Sequence, residues 1–355
     1  MDNIVKEALS PNNKKKYFIF ALVTVIFISC FGYWYWLRTP QYSLKIIKDA
    51  VETHDLQKFE KHVDIETLVS RVIDQVLDSK VNNKNEVQDE QTNAFAAGLI
   101  KMLKPQFVLM AKDQIRSYVE KGSTETQPKN NQPKNKNEST PNFSINDIYK
   151  NNGGGSVDFK GIEYVNKDGK IAIVGLKLFY PKLNSDVILE LKMREMDGYW
   201  QIAEINNLSA FMLKLEELEK NKLAELNKPI INEMNAAIKI DSIQIVPVNN
   251  GPYSKAVRFP TNITFLSPKD IKEIGMLIEV KNQEGKILFK NIMRSAGSTY
   301  PGKVSTINWG KEINPFIKSD ADLFNTPVNK LTVQIQPQFL KFADGSELKL
   351  IDTLQ

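Results

Sequence analysis

Residues Tyr17 to Leu37 read YFIFALVTVIFISCFGYWYWL, an unbroken run without a charge. At about 1.5 Å of rise per residue, a helix of that length covers the roughly 30 Å hydrocarbon core of a bilayer. A helix buried in a protein core normally keeps a polar face, and here Thr24 and Ser29 are the only clearly polar side chains on any side. The run therefore reads as a transmembrane anchor, 17–37, preceded by a cytoplasmic tail, 1–16. Lys14, Lys15 and Lys16, with Lys6 behind them, precede the run, whereas Arg38 alone follows it closely. That bias predicts a single pass through the cytoplasmic membrane with the N-terminus inside and the bulk of the chain extracytoplasmic. Tyr33, Trp34, Tyr35 and Trp36 close the run with rings suited to the headgroup region.

A cleavable signal carries a shorter apolar region and a small-x-small exit, and this run ends in bulky aromatics, which argues for an uncleaved signal-anchor. Ser29-Cys30 resembles the end of a lipobox, but Phe27 fits it poorly and the apolar run continues past Cys30, where a lipoprotein turns polar. Cys30 is the only cysteine, so the exported part can form no intramolecular disulfide. The formal charge of +5 is concentrated at the start: beyond residue 38 there remain 42 basic and 40 acidic residues. That balance argues against a nucleic-acid partner, which needs a concentrated basic face.

The rest of the chain predicts an α+β protein. From Thr39 to Val119 apolar residues recur at helical spacing, most clearly at Ile65, Leu68, Val69, Val72, Ile73, Val76 and Leu77. Asp55 and Asp64 stand where N-caps belong, and Pro105 is expected to kink or restart a helix. Residues 120–142 contain no aliphatic or aromatic side chain and predict a disordered loop. Four runs follow, near Val157–Val165, Ile171–Tyr180, Val187–Glu195 and Tyr199–Asn206, separated by turn signals such as Asp168-Gly169 and Asp197-Gly198. They predict a four-stranded antiparallel meander with helices packed on it, the whole domain spanning 39–212. Residues 213–237 read as a charged connecting helix broken at Pro229, and 238–355 as a β-sandwich of short strands.

Pro40, Tyr42, Leu44, Ala50-Val51, His54-Asp55, Phe59, His62-Val63-Asp64 and Leu68, with the hairpin Gly198-Tyr199-Trp200-Gln201-Ile202, carry a family resemblance. The stretch 17–212 resembles a bacterial family of membrane-anchored proteins of unknown function. That resemblance implies an N-terminal membrane helix, then helices, a polar loop and antiparallel strands. Helices followed by a curved antiparallel sheet also look like the cone-shaped fold of nuclear transport factor 2, an analogy of architecture alone. Asp344-Gly345-Ser346 before a final strand resembles the immunoglobulin-like modules of bacterial surface proteins.

The sequence carries no recognisable catalytic, cofactor or metal site. His54 and His62 are the only histidines, and eight residues apart they miss the i, i+4 spacing of a helical zinc pair, so each reads as a cap or packing residue. No Gly-x-Ser-x-Gly elbow occurs. Gly153-Gly154-Gly155-Ser156 precedes a strand, unlike a P-loop, and reads as a hinge. Tyr164, Tyr180, Tyr199 and Trp200 are the candidate surface for a ligand or partner, with core packing as the plain alternative. The expected function is non-enzymatic binding or scaffolding in the cell envelope, with envelope proteins or surface polymers as partners. The alternative is a sensor or carrier of a small apolar ligand, held in a pocket between the helix Ile65–Leu77 and the sheet Tyr164–Trp200. An enzyme is a third reading.

Overall fold

The computed structural model describes residues 11–82, 90–122, 157–251, 254–297 and 301–354; within them the side chains of 11–19, 77, 79–82, 90–97 and 100 lie outside the description. The expected loop 120–142 and tail 1–16 therefore fall largely outside the described residues, as do the side chains of Lys14, Lys15 and Lys16. The chain divides into two compact units. One comprises Met1–Ile73, Pro105–Phe179 and Asp186–Phe211; the other comprises Asp74–Lys104, Tyr180–Ser185 and Met212–Gln355.

The first unit begins with α1, Pro11–Trp36, whose described apolar side chains are open on every side, Phe20 at 71% and Phe27 at 74% exposure. Among the described residues no single helix is long and apolar enough to cross a membrane; Phe20–Trp36 and Pro40–Glu52 reach that measure only together, as a pair bent by 66°. The bend follows from Thr39-Pro40. Proline disfavours helical geometry in the residue before it, and Thr39 is extended (φ −97°, ψ 154°), while Pro40 itself fits the first turn of α2, Pro40–Glu52. Thr39 then caps the new helix, its hydroxyl oxygen accepting from the Tyr42 N–H at 3.3 Å.

Helices α3, Leu56–His62, α4, Ile65–Asn82, and α5, Glu90–Lys121, follow, of which α4 belongs to this unit as far as Ile73 and α5 from Pro105 onward. Asp55 and Asp64 cap α3 and α4, accepting from the N–H groups of Lys58 at 3.0 Å and Thr67 at 3.1 Å. His54 turns the corner between α2 and α3 in the left-handed region (φ 57°), and its Nδ1 lies 2.9 Å from the Val119 carbonyl oxygen. The sheet is an antiparallel meander, β1-β2-β3-β4, of Asp158–Asp168, Ile171–Tyr180, Ser185–Met196 and Tyr199–Ile205. Helical Phe59, Ile65, Val69, Ala111 and Val119 meet Ala172, Val174, Leu191, Met193, Trp200 and Ile202 of the sheet in one buried core.

The second unit carries α6, Leu208–Ala237, from Met212 onward. It starts earlier than the connector expected at 213 and passes through Pro229 without the expected break, as α5 passes through Pro105. Both prolines are exposed, so the carbonyls four residues upstream, on Lys101 and Glu225, face water that can replace the lost helical bond. Two antiparallel sheets follow. In one, β7 (Lys255–Phe265) pairs β10 (Val304–Glu312) on one side and β5 (Ile238–Ile243) and β6 (Val246–Asn249) on the other. The second runs β12-β11-β8-β9, from Glu347–Lys349, Leu331–Phe342, Ile271–Asn282 and Ile287–Ala296. Val257, Phe259 and Ile263 of the first sheet share a core with Met276, Ile278 and Phe289 of the second. Phe259 and Phe289 stack at 5.4 Å between centroids. A short α7, Lys318–Asn325, not foreseen in the sequence, sets Leu323 into the same core. Asn227 of α6 holds the chain's final segment, its amide donating to the Ile351 carbonyl at 2.9 Å and accepting from the Ile351 N–H at 2.7 Å.

On the outer face of the second sheet the Phe339 ring lies across the place that a Cβ on Gly275 would fill, with Arg294 and Lys341 cations 5.3 and 5.4 Å from its centre. Gly275→Ala is expected to destabilise the chain by about 1–3 kcal/mol through overpacking. In a Phe339→Ala background the same change should cost much less, as a double-mutant cycle on urea unfolding would measure.

Candidate functional site

The polar groups of Trp200 organise the first unit. Trp200 lies at the start of β4, an edge strand, and its side chain is fully buried. An edge strand presents unpaired backbone groups, and a buried indole N–H needs an acceptor. All are answered from the helical side. The Trp200 indole N–H donates to the Arg38 carbonyl at 2.9 Å, its backbone N–H donates to Ser43 Oγ at 3.0 Å, and its carbonyl lies 3.0 Å from His62 Nδ1. One residue of the sheet thereby grips the junction of α1 and α2, the body of α2 and the end of α3. The seal continues along the edge, where Val63 bridges Ile202 in parallel and the Asp64 N–H donates to the Ile202 carbonyl at 2.9 Å.

The electrostatics follow from this packing. Burial lowers the pKa of His62 and the neighbouring Lys61 charge adds to that, against the Trp200 carbonyl, which favours the charged ring. A neutral His62 with its proton on Nδ1 satisfies the carbonyl. Burial pushes Asp64 up, but the hydrogen bonds from Thr67 and the Arg194 guanidinium at 2.6 Å outweigh it and leave its pKa below the ordinary carboxylate value. Arg194 also donates to Gln201 Oε1 from Nε at 3.0 Å and from Nη2 at 2.7 Å, tying β3, β4 and the start of α4 together.

The four candidate aromatics do not form one surface. Trp200 belongs to the core under the helices. Tyr199 stands at the edge, edge-on to His62 at 5.2 Å and with the Lys61 ammonium 4.7 Å from its ring. Tyr164 lies on the opposite face of the sheet from Trp200, across Gly175, and donates to Glu190 at 2.6 Å. That hydrogen bond, with burial and the carboxylate charge, pushes the phenol up to about 12. Tyr180 ends β2, half-buried. The lining expected for an apolar ligand, Ile65 and Val69 with Trp200, meets in a buried cluster. A depression of about 380 Å³ lies elsewhere, in the second unit, lined by Lys182, Lys222, Leu226, Ile351, Thr353 and Leu354. Among the described residues no group of three or more His, Cys, Asp or Glu side chains could hold a metal.

At the bend between α1 and α2, the neck of the first unit, the Arg38 guanidinium carbon sits 3.9 Å from the centre of the Trp34 ring and Lys45 Nζ 5.8 Å from that of Trp36. Trp36 packs edge-on to Tyr42 at 4.7 Å. Ser43 and Arg38 were not singled out by sequence for this role. The His62-Val63-Asp64 pattern was visible, but only the fold brings it against Trp200.

No family model matches the sequence. No curated protein matches it either. Among solved structures, the chain is similar to the Streptococcus agalactiae AgI/II polypeptide BspA variable (V) domain, at 9% identity over 52% of this chain and 87% of that one, with a TM-score of 0.09. A likeness at that score carries no argument about fold or function.

His62 gives the three bonds that clamp Trp200 a pH signature. The unfolded imidazole binds its proton near pH 6.5 and the folded one only at lower pH, so the contribution is complete above about 6.5 and declines as pH falls toward the folded value. Stability of the wild-type chain should therefore drop between about pH 7 and 5 more steeply than that of His62→Asn, which keeps an N–H donor but does not titrate. Urea unfolding across that range measures the difference.

Proposed function

We propose that this chain is a single-pass membrane-anchored protein whose extracytoplasmic units bind or scaffold other components of a bacterial cell envelope, without catalysis of its own. The observation that carries this reading is α1: its described apolar side chains find no protein to cover them, and a helix apolar on all sides requires an apolar surrounding. From Phe20 to Trp36 the helix covers about 25 Å, and the uncharged residues Tyr17, Phe18 and Ile19, which fall on the same helix, extend the run to the roughly 30 Å of a bilayer core. The lysines at 14–16 favour a cytoplasmic N-terminus.

The two units suit a binding role in different ways. We read the first as a helix-covered sheet of the nuclear-transport-factor-2-like kind and the second as a β-sandwich module, the reading favoured by its two antiparallel sheets around one core. The burial of Ile65, Val69 and Trp200 in one cluster favours scaffolding over an apolar ligand held between helices and sheet.

The chain is expected to stay with the membrane after alkaline carbonate extraction. Protease added to osmotically opened cells should digest the residues after Thr39. Release by carbonate, or protection of those residues, would contradict the anchor and its orientation. Crosslinking in intact cells followed by mass spectrometry should recover envelope proteins or polymer fragments, and recovery of the chain alone would count against the scaffold.

A further inference from the structure

We propose that the bent neck is itself a membrane-binding surface, in which Arg38 and Lys45 engage the phosphates of the lipid headgroups around α1 and hold α2 down on the bilayer. The inference rests on the anchor reading and specifies what the first unit does there. With α1 along the membrane normal, a 66° bend makes α2 climb only about 8 Å over its whole length at 1.5 Å per residue. The headgroup layer is roughly 5–7 Å deep on each side, so the first turns of α2 lie within it.

The faces of α2 agree with that placement. Pro40, Ser43 and Ala50 are buried, with Leu44, Ile47 and Val51 packed against the same core, while Gln41, Lys45 and Lys48 are exposed on the far side. Lys45 leans back toward α1, its ammonium 5.8 Å from the centre of the Trp36 ring, and so stands at the membrane end of the neck. Most of the neighbouring cations on these helices are already paired: Lys48 with Glu52 at 3.6 Å, Lys58 with Asp55 at 2.8 Å and Arg116 with Glu60 at 2.9 Å. Arg38 and Lys45, the two cations nearest the anchor, instead rest on indole rings, and among the described residues neither forms an ion pair. A guanidinium and an ammonium placed over interfacial tryptophans keep their donors free for phosphate oxygens.

The Trp200 clamp makes this a fixed orientation. The tail of α1 is bonded through the Arg38 carbonyl, and α2 through Ser43, to the same buried residue. Tilting α2 away from the membrane would break a buried hydrogen bond or carry the sheet with it.

The test uses the full chain with Cys30→Ser and a nitroxide on Gln41→Cys, reconstituted in phosphatidylcholine vesicles with or without phosphatidylglycerol. Access of a water-soluble nickel chelate and of oxygen to the label reports its depth. The label should sit in the headgroup zone, deeper with the anionic lipid, and Arg38→Glu with Lys45→Glu should raise nickel access several-fold while leaving the circular dichroism spectrum unchanged. Trp200→Phe, which keeps an aromatic ring but loses the indole donor, should broaden the range of depths. A label as open to nickel as in the charge-reversed variant overturns the proposal. A chain that fails to float with vesicles overturns the anchor and this inference together, whereas a chain that floats with an aqueous label overturns the inference alone.

Discussion

A tryptophan buried at the edge of a sheet has three polar groups that water cannot reach, and the first unit is arranged around satisfying them. Leaving any one unpaired would cost about 1–3 kcal/mol, a sizeable share of the stability of an ordinary domain. Arg38, Ser43 and His62 each supply one partner, from three successive parts of the helical layer. The same bonds cover the edge of β4 and brace the bend that Thr39-Pro40 puts between α1 and α2. Sheet, helices and neck are thus joined at one residue.

That requirement also gives physical meaning to residues otherwise known only as a pattern. His54 and His62 each reach a backbone carbonyl. One occupies the left-handed position that ends α2 and reaches the Val119 carbonyl; the other closes on the Trp200 carbonyl. Asp64 does two jobs, capping α4 and receiving Arg194 across the sheet edge. Gly198 occupies the positive-φ position of the β3–β4 turn (φ 88°), and a side chain there would stand against the Arg38 guanidinium.

Local rules made much of this legible in advance. The strand Ile171–Tyr180 was bounded by its turn signals, the caps Asp55 and Asp64 by their chemistry, and the antiparallel meander by the spacing of its turns. Burial decided the outcome at Pro229, where a break was expected: the proline stays inside its helix because its exposed face lets water replace the missing bond. The helix Lys318–Asn325 escaped notice because its start has no side-chain cap and only Leu323 and Asp320 turn inward. The clamp was invisible for another reason. Its members are separated by some 140–160 positions, and nothing in a window around Ser43 or Arg38 announces a partner on a distant strand.

The most direct measurement is hydrogen exchange at the indole nitrogens of the full chain, isotopically labelled at tryptophan and embedded in a membrane mimetic. Trp34 and Trp36 should exchange readily wherever lipid or detergent leaves them open to water. The Trp200 indole proton should exchange only with unfolding of the first unit, as slowly as the backbone amides of Val174 and Met193 around it. A Trp200 indole proton that exchanges as fast as those of Trp34 and Trp36 would show that the bond to Arg38 is not standing, and the account of the neck would fall with it.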